Sequence, residues 1–436
     1  MSVWPEPGCR SEELYKRSDR VIAGGITRLT PWQTPFPVFA ARGEGAYIID
    51  VDGTRRLDLV NNYASLIHGH AHPAVVKAVR EQVGLGTAFA LPTEAEVALA
   101  ELLCRRVPRF ERVRFTNSGS EAVMCVIKAA RAFTGRPKIV KVEGSYHGLY
   151  DYAEVSTDSR PENWGSEPLP VAIAKGTPKG VTEDVLVIPF NDAAAAKKVI
   201  HAHAEELAGI LIDASPSYVG FPEISREFTD TIAETAREVG ALMMLDEVLS
   251  FRMSVGGAQT LLGLKPDITA LGKIVGGGFP VGAVAGTDRV MSVFDHRRGK
   301  PLLPWSGTFT ANPVTMTAGR VTLELLTQKE IDYIAGLGAD LRRRTNELFR
   351  NAGFPGQVAG ISSMFRVLGH RREVHDYRSA YSQPSEIRLV EALQRELLDE
   401  GYIISRGFGF LSTVTTQAEI DGFVEAVGRC LPRISI

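Results

Sequence analysis

Leu245-Asp246-Glu247-Val248 and Leu271-Gly272-Lys273-Ile274-Val275-Gly276-Gly277-Gly278 are the two stretches on which the fold of this chain turns. In the first, an acid closes a short apolar run. In the second, a lysine closes another such run twenty-seven residues further on, with a glycine triplet close behind. Runs of this length read as neighbouring strands of a parallel sheet. Acid and amine then stand at strand ends, where α/β proteins place ligands.

That pairing suits pyridoxal 5'-phosphate (PLP). The lysine can form a Schiff base with the aldehyde, and the acid can keep the pyridine nitrogen protonated so that the ring draws electrons. Two plainer readings compete. Asp-Glu after an apolar strand also occurs in phosphate-loop ATPases, and a single lysine is commonly a solvated surface charge. No Gly-x-x-x-x-Gly-Lys-Ser/Thr loop occurs, which removes the main support for an ATPase. The cofactor reading still requires a phosphate site and a group to stack on the ring.

Phe115-Thr116-Asn117-Ser118-Gly119-Ser120-Glu121-Ala122 supplies a candidate for the first. A strand ends, small residues follow and a helix begins, so free amides and serine hydroxyls form an anion site. A plain Ser-Gly helix cap is the competing explanation. Glu143-Gly144-Ser145-Tyr146-His147-Gly148 follows the next strand. Tyr146 can stack on a flat ring, and His147 reads either as an acid–base group or as a structural histidine near the cofactor. Pro304-Trp305-Ser306-Gly307-Thr308-Phe309 offers a further hydroxyl-bearing loop.

The 436 residues suffice for two domains, and 44% hydrophobic with 23% charged residues is ordinary for a globular enzyme. A formal net charge of −2 gives no broad attraction to nucleic acid or anionic membrane. The run Arg342-Arg343-Arg344 lies in an amphipathic pattern and reads as a solvated helix face. Cys9, Cys104, Cys125 and Cys430 are scattered, which argues against a zinc site or disulfide framework and fits a reducing cytosol. No secretory leader and no bilayer-length apolar run is visible, so a cytoplasmic protein is expected.

Along the chain, residues 1–60 read as an N-terminal arm, with a helix over Glu12–Ile22 and a hairpin turning at Asp52-Gly53. Apolar strands then alternate with amphipathic helices: strands are expected at 113–116, 138–142, 185–188, 209–213, 241–246, 268–272 and 281–285, with helices including 121–133 and 226–239. Alternation of this kind predicts an α/β fold with a mainly parallel seven-stranded sheet over 61–310. Residues 311–436 read as a smaller α+β domain, with helices at 312–326, 331–351, 386–400 and 417–431. The polar stretch from His370 to Pro384 reads as a loop.

The motifs above, with Ser306-Gly307-Thr308 and Gly69-His70-Ala71-His72-Pro73, come in the order seen in class III, fold type I PLP-dependent aminotransferases. The chain resembles the glutamate-1-semialdehyde aminomutase branch over nearly its whole length. The resemblance implies a fold type I PLP-dependent transferase in which Lys273 is the Schiff-base lysine and proton shuttle, and Asp246 the pyridinium partner. It implies ring contacts from Tyr146 and Val248, with His147 close by. Ser118, Gly119 and Ser120 then bind the phosphate, and Thr308 is a donor supplied by a second subunit, hence a homodimer. No metal is implied.

Departures from that branch shift the expectation. Where it has Phe-Glu-Ala before Gly-Phe-Leu-Ser, this chain has Arg406-Gly407-Phe408, and the loop after Asp246-Glu247-Val248 is one residue shorter. Both features resemble aminotransferases acting on β-phenylalanine and related β-amino acids. Those also carry an arginine where Arg28 precedes Thr34-Pro35-Phe36-Pro37. A guanidinium offers a fork to a carboxylate, so Arg28 and Arg406 are expected to hold the amino donor and keto acceptor. The competing explanation is surface arginines paired with local acids. Where the family has Val-Glu-Pro, the chain has Ile212-Asp213-Ala214-Ser215-Pro216, followed by Tyr218 and Phe221, which suit an aromatic pocket or mere packing. Three readings follow: an aminotransferase with ping-pong kinetics, a PLP-dependent isomerase (aminomutase or racemase), and a non-catalytic relative that keeps the fold.

Overall fold

The computed structural model describes residues 4–434. By their contacts these form two units, one from residues 4–73, 332–372 and 382–434, the other from 74–331 and 373–381. The expected breaks at 60 and 310 fall at 73 and 331 in this division, and the N-terminal segment joins the C-terminal one. Strand pairing explains that. Arg55–Asp58, a hairpin strand with Tyr47–Asp50, also pairs in parallel with Tyr402–Ile403, a bond between segments some 345 residues apart.

The larger unit holds a seven-stranded sheet: β1 (Arg112–Thr116), β2 (Lys138–Val142), β3 (Val185–Ile188), β4 (Leu207–Asp213), β5 (Leu242–Asp246), β6 (Ile268–Gly272) and β7 (Gly282–Gly286). Their spatial order is β1-β7-β6-β5-β4-β2-β3. β7 runs antiparallel to both neighbours, and the remaining paired strands are parallel. The central strands β4 to β7 are buried at every residue. Their unbroken apolar runs therefore reflect cover on both faces.

Register decides which residue serves which face. Ile210, Ile212, Met243 and Leu245 pack with Phe228, Ile232 and Ala236 of the helix Arg226–Val239. Leu211, Met244 and Ala270 pack on the other face with Ala122, Val126 and Ala130 of the helix Gly119–Thr134. Both helices begin at a capping serine and end at a left-handed glycine, Gly135 or Gly240. Burying each Val, Leu or Ile at this interface stabilises by about 1.5–3 kcal/mol. Asp213 and Asp246 share the parity of Leu211 and Met244, and so project toward the face of the helix Gly119–Thr134.

The smaller unit contains the sheet of Ala40–Glu44, Tyr47–Asp50, Arg55–Asp58 and Tyr402–Ile403, and a second one of Gln357–Ala359, Met364–Leu368 and Phe408–Phe410. Helices Pro384–Asp399 and Gln417–Cys430 lie close to their predicted positions, whereas the N-terminal helix spans Arg10–Ser18, four residues short of Ile22. The stretch read as a loop after His370 carries a short helix, Tyr377–Ala380, capped by Asp376. Tyr377 donates to the Ser159 carbonyl at 2.8 Å, and Arg378 Nε donates to Glu143 Oε2 at 2.9 Å. Buried partners thus order a segment that is polar in sequence.

Candidate active site

Asp246 ends β5, and Lys273 follows β6 directly. Asp246 is 5% exposed. Its Oδ1 accepts from the Val248 amide, and its Oδ2 accepts from Nδ1 of His147, both at 2.8 Å. His147 is buried. That burial pulls its pKa down against the opposing influence of Asp246. Its Nε2 is buried without a partner among the described residues. Lys273 sits at φ +48°, a backbone region that non-glycine residues seldom occupy. Burial lowers the pKa of its amine, Asp246 and Asp213 counteract that, and Arg252 lowers it further. A lowered pKa eases release of the proton that an amine must lose to act as a nucleophile.

Three small side chains bring the motifs together. A Cβ placed on Gly119 would lie 2.8 Å from Cγ1 of Val248. One placed on Gly272 would lie 3.1 Å from the same atom and 3.4 Å from the Gly119 Cα. The helix start, the second residue after the strand-end acid and the residue before the lysine therefore meet at one point.

At that helix start, Ser118 Oγ accepts from the Glu121 amide at 3.1 Å, and Glu121 accepts from the Asn117 amide at 2.7 Å. Ser120 Oγ accepts from the Leu149 amide at 3.1 Å, tying the helix to the loop that bears Tyr146 and His147. Both hydroxyls keep a hydrogen to donate. The amides of Gly119 and Ser120 come first in the helix and have no carbonyl within it, so the Ser118 cap leaves them free to donate. Tyr146 is 42% exposed, with its ring centre 5.9 Å from that of Tyr218.

Thr308 is exposed on its loop. That loop approaches the helix start, since a Cβ on Gly307 would lie 3.4 Å from Asn117 Nδ2. Arg28 and Arg406 belong to the smaller unit. An Arg28 nitrogen donates to Asn62 Oδ1 at 2.7 Å, and its guanidinium lies 5.2 Å from the centre of the Tyr63 ring. The Tyr63 hydroxyl is hydrogen-bonded to Ser405 Oγ, next to Arg406. Both arginines are exposed, and neither pairs with a carboxylate among the described residues. The pairing with local acids is therefore not observed.

Sequence reasoning missed several contributors. Asn61–Ala64 forms a left-handed turn with φ from +48° to +71°, at about 1–2 kcal/mol per residue, and it presents Asn62 and Tyr63 to Arg28. Lys141 is fully buried and donates to the Ser145 and Val155 carbonyls at 3.0 and 2.5 Å and to Thr157 Oγ1 at 3.1 Å. Burial pulls its pKa down to about 7. It anchors the Tyr146 loop from behind, as Arg378 does through Glu143. A lysine inside the apolar run Lys138–Val142 was the available signal. Asp213 ends β4 as the register partner of Asp246, with its Oδ1 accepting from the Ser215 amide at 2.8 Å. Its loop stood out in the sequence, but its carboxyl did not.

These donors fit PLP. Amide and hydroxyl donors stand at a helix start, a buried aspartate is hydrogen-bonded to a buried histidine, and burial lowers the pKa of the lysine amine. Among the described residues, no group of three His, Cys, Asp or Glu could hold a metal ion.

The sequence profile of the family Aminotransferase class-III matches residues 29–423. A curated relative from Methanothermobacter thermautotrophicus, a glutamate-1-semialdehyde 2,1-aminomutase, is 38% identical over 97% of this chain and 99% of its own. An ω-transaminase structure from Sphaerobacter thermophilus shares 48% identity over 99% of each chain, with a TM-score of 0.96. The β-phenylalanine aminotransferase of Variovorax paradoxus shares 35% identity over 96% of this chain and 93% of its own, with a TM-score of 0.86. The chain belongs to the class III aminotransferase family, with its fold type I architecture and its cofactor, PLP.

Proposed function

We propose that the protein is an aminotransferase that moves an amino group from an amino acid to a keto acid in two half-reactions, with β-amino acids bearing aromatic side chains as the donor class. The observation that carries this reading is the pair of arginines, Arg28 and Arg406, exposed and unmatched by any carboxylate among the described residues. Unpaired guanidinium forks suit substrates that arrive with carboxylates. The higher identity to a transaminase structure than to the curated aminomutase supports it. Tyr146 and Tyr218, side by side, give the donor an aromatic wall.

PLP, when bound, supplies an electron-withdrawing ring that acidifies the C–H next to the substrate nitrogen. Lys273 would hold the cofactor through its Nζ and move the proton there. Asp246 would face the pyridine nitrogen, with His147 fixing its orientation. Val248 and Tyr146 would flank the ring. The amides and hydroxyls of Ser118, Gly119 and Ser120 would receive the phosphate, joined by Thr308 from a second subunit in a homodimer. The four cysteines are free thiols, which suits a reducing cytosol.

The second reading, an aminomutase, is favoured by the curated relatives, which carry that name at 35–38% identity. Against it stands Arg406, where the aminomutase pattern has an acid nearby. One experiment separates the two. Purified enzyme is given racemic β-phenylalanine with 2-oxoglutarate or pyruvate, and in parallel glutamate-1-semialdehyde with no acceptor. Appearance of the amino acid derived from the added keto acid supports transfer. Isomerisation of the semialdehyde without an acceptor, and no net transfer, would install the mutase reading in its place.

A further inference from the structure

Asp213 and Asp246 end adjacent parallel strands in register, Cα opposite Cα. Paired residues of parallel strands point to the same side, on strands about 4.8 Å apart. Both carboxyl groups are withdrawn from water, at 6% and 5% exposure. Two like charges this close and this dry cannot both persist at modest cost. The donors around them are unequal. Asp246 accepts from the Val248 amide and from His147 Nδ1, one bond to each oxygen. Asp213 accepts from the Ser215 amide at one oxygen. A single negative charge therefore settles on Asp246, where more donors meet it.

We propose that Asp213 keeps a proton that Asp246 does not, so that the two strand ends carry one negative charge between them and Asp213 serves as a positioning residue for the Asp246–His147 pair. The proposal rests on the reading of Asp246 as the acid facing the cofactor ring. It assigns Asp213 a task of its own, to fill the neighbouring strand end with a neutral acid. The charged and donor groups acting on it are Asp246 at the end of β5, Glu247 just beyond it, Lys273 beyond β6 and the Ser215 amide on its own loop, with His147 and Arg252 acting through Asp246 and Lys273. Burial first, then the charge of Asp246, raise the pKa of Asp213 to about 8, and Lys273 opposes this.

The sign of the consequence is fixed. In the unfolded chain Asp213 releases its proton near 3.8, whereas in the folded protein it holds it to about 8. Its contribution to stability is thus full at low pH and lost as pH rises through that window. Asp213→Asn has the shape of the protonated form and never ionises. The test compares thermal unfolding of PLP-loaded wild type and Asp213→Asn from about pH 5 to about pH 8. The expected result is a Tm difference that moves steadily in favour of asparagine as pH rises, by on the order of a few degrees in total. A difference that stays flat over this range would overturn the proposal, because Asp213 would then be an ordinary carboxylate.

Infrared difference spectra of the holoenzyme add a measurement independent of the variant's stability. A protonated-carboxyl band should disappear near pH 8 in wild type, and its absence from wild type at pH 6 would also overturn the assignment. Failure of the Asp246 reading shows up separately. Asp246→Asn would then leave the visible band of bound PLP unchanged, whatever Asp213 does.

Discussion

His147 Nδ1 donates to Asp246 Oδ2 at 2.8 Å, joining the loop after β2 to the end of β5 across intervening β4. The bond fixes a carboxyl group whose only other donor among the described residues is the Val248 amide. His147→Phe removes the donor and leaves a buried oxygen unsatisfied, at about 1–3 kcal/mol. We expect kcat to fall about 10- to 100-fold with little change in KM, measured by steady-state transamination. Equal activity would show that Asp246 needs no support from the ring.

Gly119 admits Val248 because it has no Cβ. Gly119→Ala should weaken PLP binding, since the new methyl meets Val248 Cγ1 at 2.8 Å beside the phosphate donors. The double variant Gly119→Ala with Val248→Ala should recover at least part of that affinity, by removing the opposing methyls. Titration of the cofactor-free protein with PLP reads both. A double variant no better than the single one would point to backbone displacement instead.

Lys141 gives stability a pH dependence opposite in sign to that of Asp213. Its pKa is depressed from 10.5 to about 7 by burial, so its contribution is present above 10.5 and lost as pH falls through 7. Lys141→Met should lack this slope, which is at most about 1.4 kcal/mol per pH unit. It should also be less stable throughout, because the Ser145 and Val155 carbonyls lose a donor. Denaturant unfolding between about pH 7 and 10 checks both effects.

Arg28 and Arg406 predict a KM effect. Replacing either by alanine should raise KM for carboxylate substrates about 10- to 100-fold while leaving the spectrum of bound PLP unchanged, as expected for a lost charge-assisted fork of roughly 1.5–3 kcal/mol. Arg406→Lys should recover only part of this, because an ammonium cannot engage both carboxylate oxygens in the same plane. Unchanged KM values for a dicarboxylate acceptor would exclude Arg406 from that role.

Much of this protein was determined by its sequence alone. The apolar runs ending in Asp213, Asp246 and Gly272 could only be strands covered on both faces, since a solvated face would have demanded alternation. Helices at 121–133 and 226–239 were legible as amphipathic stretches between the strands, and the structure extends the first to Gly119–Thr134. Asp246, Lys273 and the Ser118–Ser120 turn each left a plainer reading open, and only jointly with the other motifs, in their order, did they carry the resemblance to the family. Tertiary structure alone decided what depends on register and long-range pairing. It joined 55–58 to 402–403, opposed Asp213 to Asp246, buried Lys141 and Glu143 against distant partners, and bent Asn61–Ala64 left-handed beneath Arg28. Apart from the lysine inside the apolar run Lys138–Val142, none of these carries a local signal. Each is a bargain between residues far apart in the chain, in which a costly local state is repaid by a contact that exists only once the fold is complete.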